Sequence, residues 1–446
     1  MNIKNSKYSN ENKKYLKNSR RQKSPQRGVT FTKVLFATLI VLIIITGYFM
    51  IKPTEQKELK TPVVQKNEIW EIRSIDTMKT SRDKARDGIT DDVIKAEVSI
   101  IKSTGANYVA IGTPYDNEFL PYLKKWVSEI RRQNLNVWFR GSFANYEGWF
   151  EYEKNLTPDA LLLKTEKFIS ENKELFEDGD IFDPCPECEN GGFWPQPQGD
   201  PSYNIYVQKK HEVLKKAFIQ IDKKVIYNLN SIIGGRAKDV LKQPTFNALD
   251  NVIAIDHYNN NAQNYSDYID YFTELNTKVV FSEFGAPIPD MHGKMTEDEQ
   301  AKFIDDVMFR LFQKGEKVKG LNYWVLSTGT TALINENFSE RKALSVLKNY
   351  YYPSFIKGTI TDTLDNPLLS ITVKIENSDV YSTTDQYGNY SIAVPSQKEY
   401  TVIVDDKKYL AKSEKVRVEK AETKINNMQL VPKTEDIWYK IQKVLD

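Results

Sequence analysis

The chain has 446 residues, 40% of them hydrophobic, with 62 Lys and Arg against 60 Asp and Glu for a formal net charge of +2. That length exceeds one ordinary domain and is enough to bury a large core, so two folded domains are expected. The near-neutral balance excludes nucleic acid as a general partner, which would leave a strongly basic footprint.

The positive charge is concentrated at the start. Between Met1 and Thr30 nine Lys or Arg stand against one acid, Glu11, and residues 1–33 read as a basic tail with too little apolar surface to fold. Residues 34–51 (VLFATLIVLIIITGYFMI) carry no charge and are long enough to cross a hydrocarbon layer of about 30 Å. No small-residue cleavage pattern ends the run and no Cys stands beside it. One transmembrane signal-anchor helix is therefore expected. Its basic flank places the tail in the cytoplasm and everything after Lys52 outside, a single-pass protein of the cell membrane. Residues 52–67, polar with Pro53 and Pro62, read as a stalk.

From residue 68 to 352 short apolar runs alternate with amphipathic stretches. Strands are expected at 69–75, 108–112, 137–140, 180–183, 225–229, 252–256, 279–284 and 320–326. Helices with apolar residues at three- and four-residue spacing are expected between them, at 120–133, 158–176, 203–222, 265–275, 296–313 and 339–347. Eight strands with crossovers of this kind fit an α/β fold of the (β/α)8 barrel type, with a doubly wound open sheet as the alternative. No G-x-G-x-x-G turn supports a dinucleotide cofactor.

In a barrel, chemistry sits at the strands' C-terminal ends. Here those ends are polar and aromatic throughout: Asp76 after the first, Arg140 after the third, Glu187 and Glu189 after the fourth, Asn228 after the fifth, His257 and Tyr258 after the sixth, Glu283 closing the seventh (VVFSEF), and Trp324 after the eighth. Aromatic faces stack on pyranose rings while Asp, Asn, His and Arg bond hydroxyls, so Asp76, Arg140, Asn228, His257, Tyr258 and Trp324 are candidate sugar contacts. Two strand-end carboxylates supply what glycoside hydrolysis needs, an acid for the leaving oxygen and a nucleophile or base opposite it.

The motifs VVFSEFG, IDHY and NYW, with an acidic cluster closing strand four, resemble the retaining glycoside hydrolases of clan A, the superfamily of cellulases and mannanases. The resemblance covers roughly residues 68–350. It implies a TIM barrel, Glu283 as nucleophile, Glu187 or Glu189 as acid/base, Tyr258 orienting the nucleophile, Trp324 under a sugar subsite, and no cofactor or metal. The family pattern has Asn immediately before the acid/base, whereas Pro186 precedes Glu187 and Cys188 precedes Glu189. Glu187, the first after the strand, is the favoured acid/base with Glu189 as runner-up. The alternative is a non-catalytic carbohydrate-binding or scaffolding protein on the same barrel.

Cys185 and Cys188 form a lone C-x-x-C. With three scattered His this is a poor metal set, and outside the membrane a local disulfide that stiffens the loop bearing Glu187 is expected, with free thiols as the other state. After Pro353 the pattern becomes all-β. The segments KGTITDTLDNPLLSITVKIEN and TTDQYGNYSIAVP are similar to the carboxypeptidase regulatory-like family, which implies a small prealbumin-like sandwich over residues 356–431, serving as a spacer or a cell-envelope contact. Residues 432–446 place Ile437, Trp438, Ile441, Val444 and Leu445 on one helical face, a tail helix expected to dock on a neighbouring domain.

Overall fold

The computed structural model describes residues 68–190 and 201–433. The basic tail, the apolar segment at 34–51, the stalk and the tail helix from residue 434 lie outside the described residues. Among the described residues no helix is long and apolar enough to cross a membrane.

Eight parallel strands form one curled sheet: β1 (Ile72–Asp76), β2 (Tyr108–Ile111), β3 (Asn136–Phe139), β4 (Ile181–Phe182), β5 (Ser231–Ile233), β6 (Val252–Asp256), β7 (Lys278–Phe284) and β8 (Val318–Tyr323), in the order β4-β3-β2-β1-β8-β7-β6-β5. The two ends of that order meet at Ile226, whose N–H donates to the Asp180 carbonyl at 2.7 Å while the Phe182 N–H donates to the Ile226 carbonyl at 2.9 Å. The sheet is thereby closed into an α/β barrel rather than left open. Closure also corrects the expected fifth strand. The chain at Ile226 bridges to β4, breaks, and pairs with β6 only from Ser231, which stands opposite Ala254.

Alternate residues along each strand face the barrel's interior. At one level Ile72, Tyr108, Trp138, Ile181, Leu229, Val252 and Val280 fill it with an apolar plug. Two residues further along, the same face turns polar at Ser74, Arg140, Ser282 and, on β8, Asn322, and on β6 it does so after one more apolar step, Ala254, at Asp256; all five polar residues are buried. The outer faces pack on the helices in a second, larger core. Those helices start where the sequence supplies caps: the Thr90 hydroxyl accepts from the Val93 N–H, Thr157 from Ala160, and Thr296 and Glu299 form a reciprocal capping box, each satisfying N–H groups a helix start leaves orphaned.

The barrel passes into the C-terminal domain without a linker. The helix Lys342–Tyr351 runs into β9 (Ser354–Thr361). Two sheets follow, one of four antiparallel strands and one built around β9, with Val373, Ile392, Val402 and Val416 buried between them. The Asp305 carboxylate on the helix Glu297–Gln313 takes the Tyr350 hydroxyl at 2.8 Å and the Lys398 ammonium at 2.7 Å, and the Phe312 and Tyr400 rings meet at 6.0 Å. Barrel and sandwich therefore share a packed face.

Gly320 on β8 lies against β1 so closely that an added methyl would stand 2.3 Å from the Ile72 side chain. The Gly320→Ala variant should lose about 1–3 kcal/mol of stability through overpacking, read as a lower urea midpoint at unchanged m-value.

Candidate active site

At the polar level of the barrel one cation meets three acids. The Arg140 guanidinium is fully buried and donates to Asp76 at 2.9 Å, to Glu283 at 3.0 Å and to Asp256 at 3.2 Å. Arg140 follows β3, so its side chain stands one inward step above Trp138, with the guanidinium 5.8 Å from that ring. Burial works against its charge, yet the facing carboxylates hold its pKa well above the ordinary arginine value. The remaining acceptors are also used: Asp76 takes the Met78 N–H and the Asn322 amide, and Asp256 takes the Ser282 hydroxyl at 2.6 Å. Burial and the Glu283 charge push the Asp256 carboxyl well up, against the pull of Arg140.

Glu283, at the end of β7, takes Arg140 on one oxygen and the Tyr258 hydroxyl, at 2.9 Å, on the other. Above it opens a cavity of about 340 Å³ lined by Met78, Arg82, Arg140, Glu147, Trp149, Lys154, Pro186, Glu187, Asn190, Glu283 and Trp324. Glu187 enters from the opposite side of the barrel, on the loop after β4. One oxygen each of Glu187, Asp256 and Glu283 lie within 4.8 Å of one another. Such a triad is able to hold a divalent cation, but Arg140 already sits against two of the three and supplies the compensating charge.

The two facing carboxyls differ in their partners. Burial pushes Glu283 up, but Arg140 and Tyr258 donate to its ionised form and oppose this. Among the described residues Glu187 has only the Asn190 amide at 3.4 Å, and burial, then the charges of Glu283 and Glu189, push it up to about 7. When one proton is shared between them, Glu187 is the group that keeps it, because charge is better solvated on Glu283.

The loop carrying Glu187 is short and braced. Cys185 and Cys188 are joined by a disulfide, and Glu187 between them adopts the left-handed conformation, φ 50°, which a side chain other than Gly or Asn rarely occupies. Its N–H donates to the Ser231 carbonyl at 3.0 Å. At the loop's start the buried Asp183 accepts the Lys210 ammonium at 3.1 Å and the Ser231 N–H at 2.9 Å. Glu189 turns the other way. Its carboxyl accepts the Ile233 N–H at 2.7 Å and the Tyr203 hydroxyl at 3.4 Å, away from Glu283, and burial raises it to about 7.

Of the residues singled out by pattern, Arg140, Glu187, Glu283 and Trp324 line the cavity and Tyr258 reaches it through Glu283. Besides Glu189, three others do not line it. Asp76 is fully buried beneath Arg140 and positions that guanidinium. Asn228 lies in the break of the fifth strand and donates to the Leu249 carbonyl and Asp250, at the N-terminal end of β6. His257 alternates outward between Asp256 and Tyr258. It packs on Tyr265 at 4.7 Å and Tyr268 at 4.2 Å, and burial lowers its pKa to about 4. Asp256, at the polar end of the sixth strand, shares Tyr258's face by the two-residue alternation of IDHY, while Glu147, Asn190, Arg82 and Lys154 are brought in by loops and no periodicity marks them. A second cavity of about 300 Å³, between the start of β1 and the sandwich, holds no cation–carboxylate layer and lies at the other end of the barrel.

Residues 356–437 match the family model for the CarboxypepD_reg-like domain, which identifies the C-terminal domain as carboxypeptidase regulatory-like. No curated protein matches the sequence. Similar solved structures include Bacteroides uniformis β-glucuronidase 2 (11% identity, TM-score 0.45, covering 81% of this chain and 46% of that one). Others are the Ruminococcus gnavus β-glucuronidase (16%, 0.43, 64% and 50%) and an FMN-binding β-glucuronidase from Facaelibacterium prausnitzii L2-6 (12%, 0.45, 82% and 57%). The chain spans about half the length of these proteins, and likeness at that level assigns it no activity.

Two measurements check this electrostatic picture. Arg140→Met leaves buried carboxylates without their cation and should cost about 3–5 kcal/mol in denaturant unfolding. Glu147, Glu187 and Glu189 are each raised to about 7, in every case chiefly by burial. A carboxyl that binds its proton more tightly when folded stabilises the fold fully below its unfolded pKa of about 4.3, and that contribution is lost as pH rises through the folded value. The melting temperature should therefore fall between pH 5 and pH 8, and Glu189→Gln should flatten that fall.

Proposed function

We propose that the protein is a membrane-anchored, extracytoplasmic glycosidase that hydrolyses β-glycosidic bonds of a polysaccharide or oligosaccharide by a two-glutamate retaining mechanism. The observation that carries this reading is the pairing of Glu187 and Glu283 across one cavity, with oxygens within 4.8 Å. Retaining enzymes hold their carboxyls about 5–5.5 Å apart, whereas inverting enzymes need roughly 6.5–9.5 Å to admit a water between them.

Each group suits one role. Glu283, ionised and oriented by Arg140 and Tyr258, attacks the anomeric carbon. Glu187, which keeps its proton to about pH 7, gives it to the departing glycosidic oxygen. Loss of that proton leaves Glu187 as the base that draws one from water, and the resulting hydroxide releases the sugar from Glu283. The faces of Trp324 and Trp149 at the cavity wall offer stacking surfaces for pyranose rings. The uncharged segment at 34–51 behind a basic tail supports a membrane anchor, and a disulfide in the active-site loop fits an oxidising compartment. The sandwich is read as a spacer or envelope contact.

Residues 67–433 should release reducing sugar from at least one member of a panel of β-glucans, mannans, xylans and envelope polysaccharide, or aryl glycoside from a matching β-linked set. Glu283→Gln should reduce that release to background. Glu187→Gln should lose about 10²–10⁴-fold on poor leaving groups and much less on dinitrophenyl glycosides, which need no acid. Glycan binding without release, unchanged by Glu283→Gln, would instead identify a non-catalytic carbohydrate-binding protein.

A further inference from the structure

The position of the Glu187 carboxyl is not set by its own bonds. Glu189 is pinned by a backbone N–H and a tyrosine hydroxyl, and Glu283 by Arg140 and Tyr258. Among the described residues Glu187 has one long hydrogen bond, to Asn190, itself three residues along the same loop. Its placement over Glu283 must come from the backbone beneath it. That backbone is left-handed at Glu187, flanked by Pro186, and tied to the barrel by the Glu187 N–H on the Ser231 carbonyl and, two residues on, by the Arg236 guanidinium on the Glu189 carbonyl. Around it the chain is closed by a covalent link between residues three apart, and both sulfurs are fully buried. The Cys188 sulfur lies 3.5 Å from the Tyr146 and Tyr206 hydroxyls, and the Cys185 sulfur lies 3.6 Å from a Glu147 oxygen. The bridge therefore seats the loop as well as closing it.

We propose that the Cys185–Cys188 disulfide is a positioning element for catalysis, holding Glu187 in its left-handed turn and so keeping that carboxyl over Glu283. The proposal rests on the reading of Glu187 as the acid/base. Without the bridge the turn relaxes toward right-handed or extended backbone, which a glutamate prefers. The carboxyl then moves toward solvent and away from Glu283. Opening the bridge takes two electrons and two protons, which a dithiol supplies as it closes to its own cyclic disulfide, leaving two thiols on the loop. Acid catalysis is thereby tied to an oxidising environment, while the nucleophile, held by Arg140 and Tyr258 on other strands, is not.

The test compares wild-type protein, wild type reduced with dithiothreitol and checked for two alkylatable thiols, and the double variant Cys185→Ala with Cys188→Ala, each confirmed as folded by thermal melting. Glutamate carboxyl carbons labelled with ¹³C are titrated by NMR, with the Glu187 signal identified by its loss in Glu187→Gln. The Glu187 pKa is expected to drop from about 7 toward the ordinary glutamate value in both opened forms. On an aryl glycoside series of the sugar hydrolysed, kcat/KM for poor leaving groups should fall by about tenfold or more, while dinitrophenyl glycosides hold within about threefold.

Unchanged titration in either folded, opened form would overturn the proposal, as would an equal loss on good and poor leaving groups, which marks a merely structural bridge. If wild type hydrolyses no glycoside, the proposed function fails, and the titration still decides whether the bridge positions Glu187.

Discussion

One buried arginine organises the site end of this barrel. A guanidinium with no exposure is tolerated where its charge is matched, and Arg140, although its Nε–H meets no acceptor among the described residues, draws carboxylates from β1, β6 and β7 to one point. Asp76, Asp256 and Glu283 would repel one another without it. With it they form a rigid floor one residue-pair above the apolar plug, and Asn322 and Ser282 satisfy the remaining acceptors. Of the floor's three acids, Glu283 is the one that also lines the cavity.

The floor explains why burial, which pushes both glutamates up, is opposed by partners at Glu283 and scarcely at Glu187. Glu283 stands on a cation and beside a donated hydroxyl. Glu187 hangs from a loop with neither, in the field of Glu283 and Glu189. The asymmetry comes from where the strands end rather than from the side chains themselves. It also divides the site mechanically: the surroundings of Glu283 are built on strands, whereas Glu187 stands on a loop braced by the Asp183–Lys210 pair at its root and a disulfide at its tip.

Much of this was legible in the chain's period-two and period-3.6 patterns. Strands ending in Asp256, Glu283 and Trp324 announce themselves by apolar runs that stop at polar residues, and the C-terminal domain by turns such as Asp385–Asn389. The misreadings share a cause. Asn228 was placed by assuming an unbroken fifth strand, but closing the barrel split that strand and left Asn228 at its far end. In Asp256-His257-Tyr258 alternation sends the histidine outward, where the helix Ala262–Glu274 covers it.

The sequence by itself determined the order of strands and helices, the β character of the C-terminal domain and the set of acids at strand ends, because each depends on local periodicity or composition. Only the tertiary structure decided which acids face each other, that Arg140 neutralises three of them, that Glu189 points away from the cavity, and that Glu147, Asn190 and Trp149 join it. These are relations between residues as many as 143 positions apart, as Arg140 is from Glu283. Such distances are set by how the sheet closes on itself, and no local pattern along the chain encodes that closure.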